Sequence, residues 1–343
     1  MIYPWQHDDW NRLQRLRAQW PHALLLYGQA GIGKLRFAQH LAQGMLCEAP
    51  TANGEPCGQC VACNWFLQGN HPDYRALLPE ALAGEAIGAV SAGADDKAEG
   101  EEGKKTRTLS KEIKIEQVRA LLDFCGIGAH RGGARVVLVY PADALNAASA
   151  NALLKTLEEP PAGVVFLLVS ARVDRLLPTI VSRCRQWPMS TPSASQARAW
   201  LAEQGVADAP VLLAEAGGAP LAALALAADE NRGLRDFTLK QLAAGPACDA
   251  FACGEALQKL PVAVVLGWLQ RWLYDLVAER AAQRPRYFPA AQRELAQCAA
   301  RIDANAFARF MKTVTRERAV ENHPLNARLV FESLFLGYRD LFV

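Results

Sequence analysis

At 343 residues the chain is long enough for two or three domains, which excludes a single small module. Hydrophobic residues make up 51% and charged residues 21%, a balance that excludes wholesale disorder. Lys plus Arg number 37 against 35 for Asp plus Glu, and the resulting +2 excludes a histone-like nucleic-acid coat. The first ten residues hold no basic region followed by an apolar core, and no apolar run approaches the ~20 residues that span a bilayer. A cytoplasmic chain away from membranes is therefore expected. Its nine cysteines would stay reduced there and serve as core, catalytic or metal-bound residues.

Residues 22–27 are a continuous apolar run ended by Gly28, as in a central parallel strand covered on both faces. Residues 34–46 follow with helical periodicity at Leu35, Ala38, Leu41, Ala42 and Met45. A cysteine-rich loop runs to Cys63, then a short helix and His71-Pro72-Asp73-Tyr74. Residues 82–110 are rich in Ala, Gly, Glu and Lys, with five acids, three bases and no aromatic between 95 and 105. Such a stretch buries too little apolar surface to offset its ordering entropy, so a flexible insertion is expected. A helix over 113–124, a strand over 135–140, a helix over 146–159 and a strand over 164–169 come next. That alternation implies a parallel sheet with right-handed crossovers. Beyond Pro192 only Ala- and Leu-rich helix is expected, broken at Gly217-Gly218-Ala219-Pro220 and Gly245-Pro246.

Gly28-Gln29-Ala30-Gly31-Ile32-Gly33-Lys34-Leu35 has the spacing of a phosphate-binding loop between a strand and a helix. Glycines let backbone N–H groups turn toward phosphates, the helix start adds positive potential, and Lys34 reaches the terminal phosphates. The rival reading is a glycine-rich turn with no ligand. Leu35 stands where a hydroxyl would ligate Mg²⁺. The second strand should end in carboxylates, yet Tyr140-Pro141 follow it and Asp143 lies beyond the expected place. Hydrolysis by this chain is not expected, nor is Mg²⁺. Gly28, Gly31, Gly33 and Lys34 leave room for weak ATP binding.

Cys47, Cys57, Cys60 and Cys63 fall within seventeen residues, with Gly54, Pro56 and Gly58 supplying turns. Four thiolates suit a closed tetrahedral Zn²⁺ site; a disulfide or a redox pair is the rival, disfavoured by a reducing compartment. The other five cysteines show no ligand spacing.

Together the degenerate loop, the cysteine cluster and His71-Pro72-Asp73-Tyr74 resemble one family, the bacterial clamp loaders of the AAA+ class, of the DNA polymerase III delta-prime type. The runs Asn151 through Pro161 and Ser182-Arg183-Cys184 carry the resemblance further. It implies an AAA+ α/β domain with a parallel sheet over 1–190, a zinc module at 47–63, a helical lid at 191–233 and a helical collar at 234–343. It implies that Arg183, flanked by Ser182 and Cys184, reaches in trans into a neighbour's ATP site; the alternative is an ordinary surface arginine or an internal salt bridge. The lid arginine of the family is replaced near Pro220. Implied partners are the ATPase gamma/tau subunits and the delta subunit, with the sliding clamp and primed DNA met through the assembly. Lys155 is equally suited to DNA phosphate or to pairing with Glu158 or Glu159. Two other functions stay open: a self-sufficient AAA+ ATPase with unusual Mg²⁺ ligands, and a zinc-dependent nucleic-acid-binding module.

Overall fold

Three runs of apolar residues too continuous for a half-exposed strand, 23–27, 135–139 and 164–170, lie side by side as the centre of one sheet in the computed structural model. The structure describes residues 1–88, 109–126, 130, 133–319 and 326–342. It divides into two compact units, Met1–Pro192 and Ser193–Val343. Residues 89–108, the greater part of the insertion expected at 82–110, lie outside the described residues.

The first unit opens with a 3-10 turn, Pro4–Gln6, that runs into α1 (His7–Gln14). It continues through β1 (Ala23–Tyr27), α2 (Lys34–Leu46), α3 (Val61–Leu67) and β2 (Tyr74–Leu77). Then come α4 (Ile115–Gly126), β3 (Arg135–Val139), α5 (Ala147–Glu158), β4 (Val164–Ser170), α6 (Pro178–Arg183) and β5 (Arg185–Pro188). All five strands are parallel, in the order β2-β3-β4-β1-β5. The sequence reading anticipated the three central strands and missed both edges. Leu24, Leu25, Leu26, Val137, Phe166 and Leu168 are fully buried, each stabilising the fold by about 1.5–3 kcal/mol over exposure. Helix α5 starts where Asn146 accepts a hydrogen bond from Ser149 N at 2.9 Å, a side-chain N-cap. Parallel strands all deliver their chain ends to one side, so the loops after β1, β3 and β4 converge there.

The second unit is helical among its described residues. Its elements are α7 (Ala194–Glu203), α8 (Ala209–Glu215), α9 (Pro220–Ala227), α10 (Arg232–Ala243) and α11 (Ala250–Leu257). They are followed by α12 (Val262–Ala282), α13 (Gln292–Ala299), α14 (Ala304–Ala319) and α15 (Ala327–Arg339). One apolar cluster joins α7, α8 and α9 through Leu201, Leu212, Leu213 and Ala223. A larger one surrounds α12 with Trp272, Phe331, Phe335 and Tyr338. Helix α10 links the two: its Arg235 pairs with Glu215 of α8 at 3.1 Å, both side chains buried. No described helix alone is long and apolar enough to cross a membrane.

Candidate functional site

Gly28 ends β1, and Gly31 and Gly33 take φ of 78° and 87°, a left-handed conformation that side chains resist. The loop so formed delivers Lys34 as the first residue of α2, where it is buried. Its Nζ donates to Gly28 O at 2.8 Å and Gln29 O at 2.6 Å. Burial takes its pKa down to about 8, with the Asp143 carboxylate pulling the other way. Three residues of the N-terminal turn, which sequence reasoning passed over, press on the loop. Trp5 Nε1 and Gln6 Nε2 both donate to Ile32 O at 3.0 Å, and Gln6 Nε2 reaches Gly33 O at 3.1 Å. A Cβ at Gly33 would sit 2.4 Å from the Tyr3 ring, so only glycine admits that contact. Apart from the density of aromatics near the N-terminus, nothing in the sequence signalled this.

After β3 the chain passes through the cis Tyr140-Pro141 bond into a 3-10 turn, Ala142–Ala144. This turn brings Asp143 back within electrostatic range of Lys34, although its sequence position lay past the expected carboxylate. Ser170 at the end of β4 holds it there, donating from Oγ to Asp143 Oδ1 at 2.7 Å. Leu35 supplies no oxygen. Lys34 is thus held by carbonyls of its own loop, and the Asp143 carboxylate by Ser170.

The four cysteines expected to act together lie together. The sulfurs of Cys47, Cys57, Cys60 and Cys63 all lie within 4.8 Å of one another. Cys47 and Cys60 are 3.8 Å apart and Cys57 and Cys63 4.0 Å. A tetrahedron with metal–sulfur bonds of about 2.3 Å has edges of about 3.8 Å, so the spacing fits a bound metal ion. Backbone N–H groups already turn toward sulfur: Cys57 N to Cys47 Sγ, Cys60 N to Cys57 Sγ and Cys63 N to Cys60 Sγ, at 3.3–3.4 Å. Hydrogen bonds from Gln59 and Cys60 lower the Cys57 thiol to about 6, whereas burial raises Cys47 and pushes Cys63 up to about 12. This cluster can hold a metal ion.

Arg183 is the last residue of α6, and the structure gives it two local partners. Its Nη1 donates to Thr179 O at 2.9 Å, and its Nη2 pairs with Glu158 of α5. The side chains are 32% and 47% exposed. An ion pair this exposed contributes at most about 1 kcal/mol. Ser182 turns back to Thr179 O at 3.1 Å, and Cys184 is buried, its thiol pushed up to about 12 by burial. Of the triplet, the arginine is the one whose charge meets solvent. Glu158, considered as a partner of Lys155, faces Arg183 instead, and Lys155 is exposed. None of Arg183's partners comes from the glycine loop or the cysteines. Pro220 is the buried first residue of α9 and offers no charge.

The His71-Pro72-Asp73-Tyr74 run is architectural. Asp73, buried, pairs with Arg135 Nη2 at 3.2 Å and accepts from His130 N at 2.9 Å, fastening β2 to β3.

A five-stranded parallel sheet in this order, with a glycine loop between β1 and α2, defines an AAA+-type phosphate-loop domain, here followed by helices. The family model described as DNA polymerase III, delta subunit, matches residues 6–193. DNA polymerase III subunit delta' of Pseudomonas aeruginosa is 39% identical over 289 residues, covering 80% of this chain and 77% of that one. The delta' subunit of Escherichia coli K12 is 33% identical over 279 residues, covering 80% and 75%. The tau subunit of the same organism is 32% identical over 177 residues, 52% of this chain and 23% of tau. The chain belongs to the DNA polymerase III delta-prime family.

Proposed function

We propose that this chain works within a DNA polymerase III clamp loader as a subunit that does not hydrolyse ATP and lends Arg183 to a neighbour's ATP site. The observation that carries this reading is the contrast between the two cations. Lys34 is buried against its own loop carbonyls, whereas Arg183 is held at the surface by an ion pair of little worth. Exchanging Glu158 for a neighbour's γ-phosphate costs little, and a planar, always-charged guanidinium suits the charge that develops on a transferring phosphoryl group. The partners on this reading are the ATPase gamma/tau subunits and the delta subunit, with the sliding clamp and primed DNA as the assembly's targets. The tau likeness agrees with membership of such a complex.

On the same reading Cys47, Cys57, Cys60 and Cys63 hold one structural Zn²⁺. Its charge would stabilise all four thiolates and close the loop over 47–63. Residues 1–190 are the AAA+ domain, 191–233 the lid and 234–343 the collar. Gly28, Gly31, Gly33 and Lys34 retain at most weak, Mg²⁺-independent affinity for ATP. The test is nucleotide titration of the isolated chain with and without Mg²⁺, beside its own ATP turnover. No turnover and no gain in affinity with Mg²⁺ are expected; Mg²⁺-dependent binding with turnover lost in Lys34→Ala would establish the self-sufficient ATPase instead.

A further inference from the structure

Residues 10–47 contain no Asp or Glu, yet hold Arg12, Arg15, Arg17, Lys34 and Arg36. In a chain of net +2 this is a strong local bias, and part of it converges on the segment between α1 and β1. There a cleft of about 660 Å³ is lined by Arg15, Gln19, Trp20, His22 and Arg185. Arg185 stands in register with Leu24 at the entry end of β5, so the cleft lies at the entry ends of β1 and β5. The phosphate loop is at the opposite end of β1, five residues or about 17 Å away. Among the described residues, the side chains of Arg15, His22 and Arg185 have no hydrogen-bond or ion-pair partner. Trp20 is half-buried and also lines a second cavity, with Gln14 and Arg17. No acid lines either cavity.

Guanidinium groups without ion-pair partners, lining one cleft with a half-buried indole, match the two needs of a single nucleic-acid strand. Arginines take phosphates, and an aromatic face takes a base of any identity. An acidic peptide would use the arginines but leave the indole without purpose. We propose that this cleft binds single-stranded DNA, with a base stacked on Trp20 and the flanking phosphates on Arg15 and Arg185, Arg17 extending the path. The contact is independent of ATP and of Arg183, so it stands or falls separately from the trans-arginine reading.

The test is fluorescence anisotropy of a fluorescein-labelled dT12 with the full, metal-containing chain, from 50 to 200 mM NaCl. Binding should weaken with salt. The double variant Arg15→Ala/Arg185→Ala should lower the log–log salt slope by about 1.4, at about 0.7 per phosphate on a single strand. Trp20→Leu should weaken binding about 5- to 150-fold, the range for loss of one stacked base, while Trp20→Tyr keeps most of it. Thermal melts identify any variant that fails to fold, and the arginine pair, being exposed, then decides the matter. No binding at 50 mM salt, or variants that bind like the parent chain, would overturn the proposal. So would equal competition by poly-glutamate, which would assign an acidic peptide, or by dTTP at the same molar concentration, which would assign a free nucleotide.

Discussion

Replacing Asp73 by Ala should destabilise the first unit strongly although the residue lies in no catalytic position. Its carboxylate accepts from Arg135 Nη2 at 3.2 Å and from His130 N at 2.9 Å, and both side chains of the pair are 3% exposed. Removing it strands a buried guanidinium with a diminished set of acceptors, which costs about 3–5 kcal/mol. With a guanidinium chloride slope of about 5 kcal/mol per M for a unit of this size, the midpoint falls by about 0.6–1 M. Equilibrium unfolding followed by far-ultraviolet circular dichroism measures this directly. The double variant Asp73→Leu/Arg135→Leu should be more stable than Asp73→Ala, because neither charge then remains buried alone. A shift under about 0.2 M in Asp73→Ala would refute the reasoning, since that is the behaviour of an exposed pair.

Three further outcomes follow from the site. The purified chain should carry one zinc per molecule by elemental analysis, and Cys57→Ser should lose most of it and open residues 47–63 to proteolysis. Burial against Trp10 lowers the His40 pKa to about 4. Between that value and the ordinary 6.5 the unfolded chain binds more protons, so stability falls as pH drops through this window, and His40→Gln should flatten the slope in pH-dependent melts. Lys34, with its pKa taken down to about 8, is a folded-state cost below pH 8 that is relieved as pH rises from 8 to 10.5. In Lys34→Met that gain in stability should vanish from alkaline melts.

The legible parts of this protein were those fixed by local pattern. Strands β1, β3 and β4 are buried on both faces and therefore read as unbroken apolar runs. The edge strands β2 and β5 escaped because pairing on one side, rather than composition, makes them strands. Tyr74–Leu77 carries an arginine, and Arg185–Pro188 is exposed at three of its four positions. The cysteine cluster was legible because four cysteines sit close in sequence, and the glycine loop because glycine spacing encodes its turns. What was hidden depended on contacts between distant segments. Tyr3, Trp5 and Gln6 meet the loop 26 or more residues on, Asp143 is turned back by a short 3-10 segment onto Ser170, and Glu158 takes Arg183 rather than Lys155. The tryptophan cleft was hidden likewise, since Arg185 joins Arg15 only through the pairing of β5 with β1.

The central claim is that Arg183 acts on a neighbour's nucleotide, and the most direct measurement is ATP turnover of the reconstituted clamp loader on primed DNA. Arg183→Ala should remove turnover at the site it serves, by on the order of 10³-fold, and Arg183→Lys should fail nearly as badly because it lacks the planar fork. Glu158→Gln, which only releases the arginine from its surface pair, should leave turnover at or above the parent rate. Unchanged turnover in an assembled Arg183→Ala complex would contradict the account.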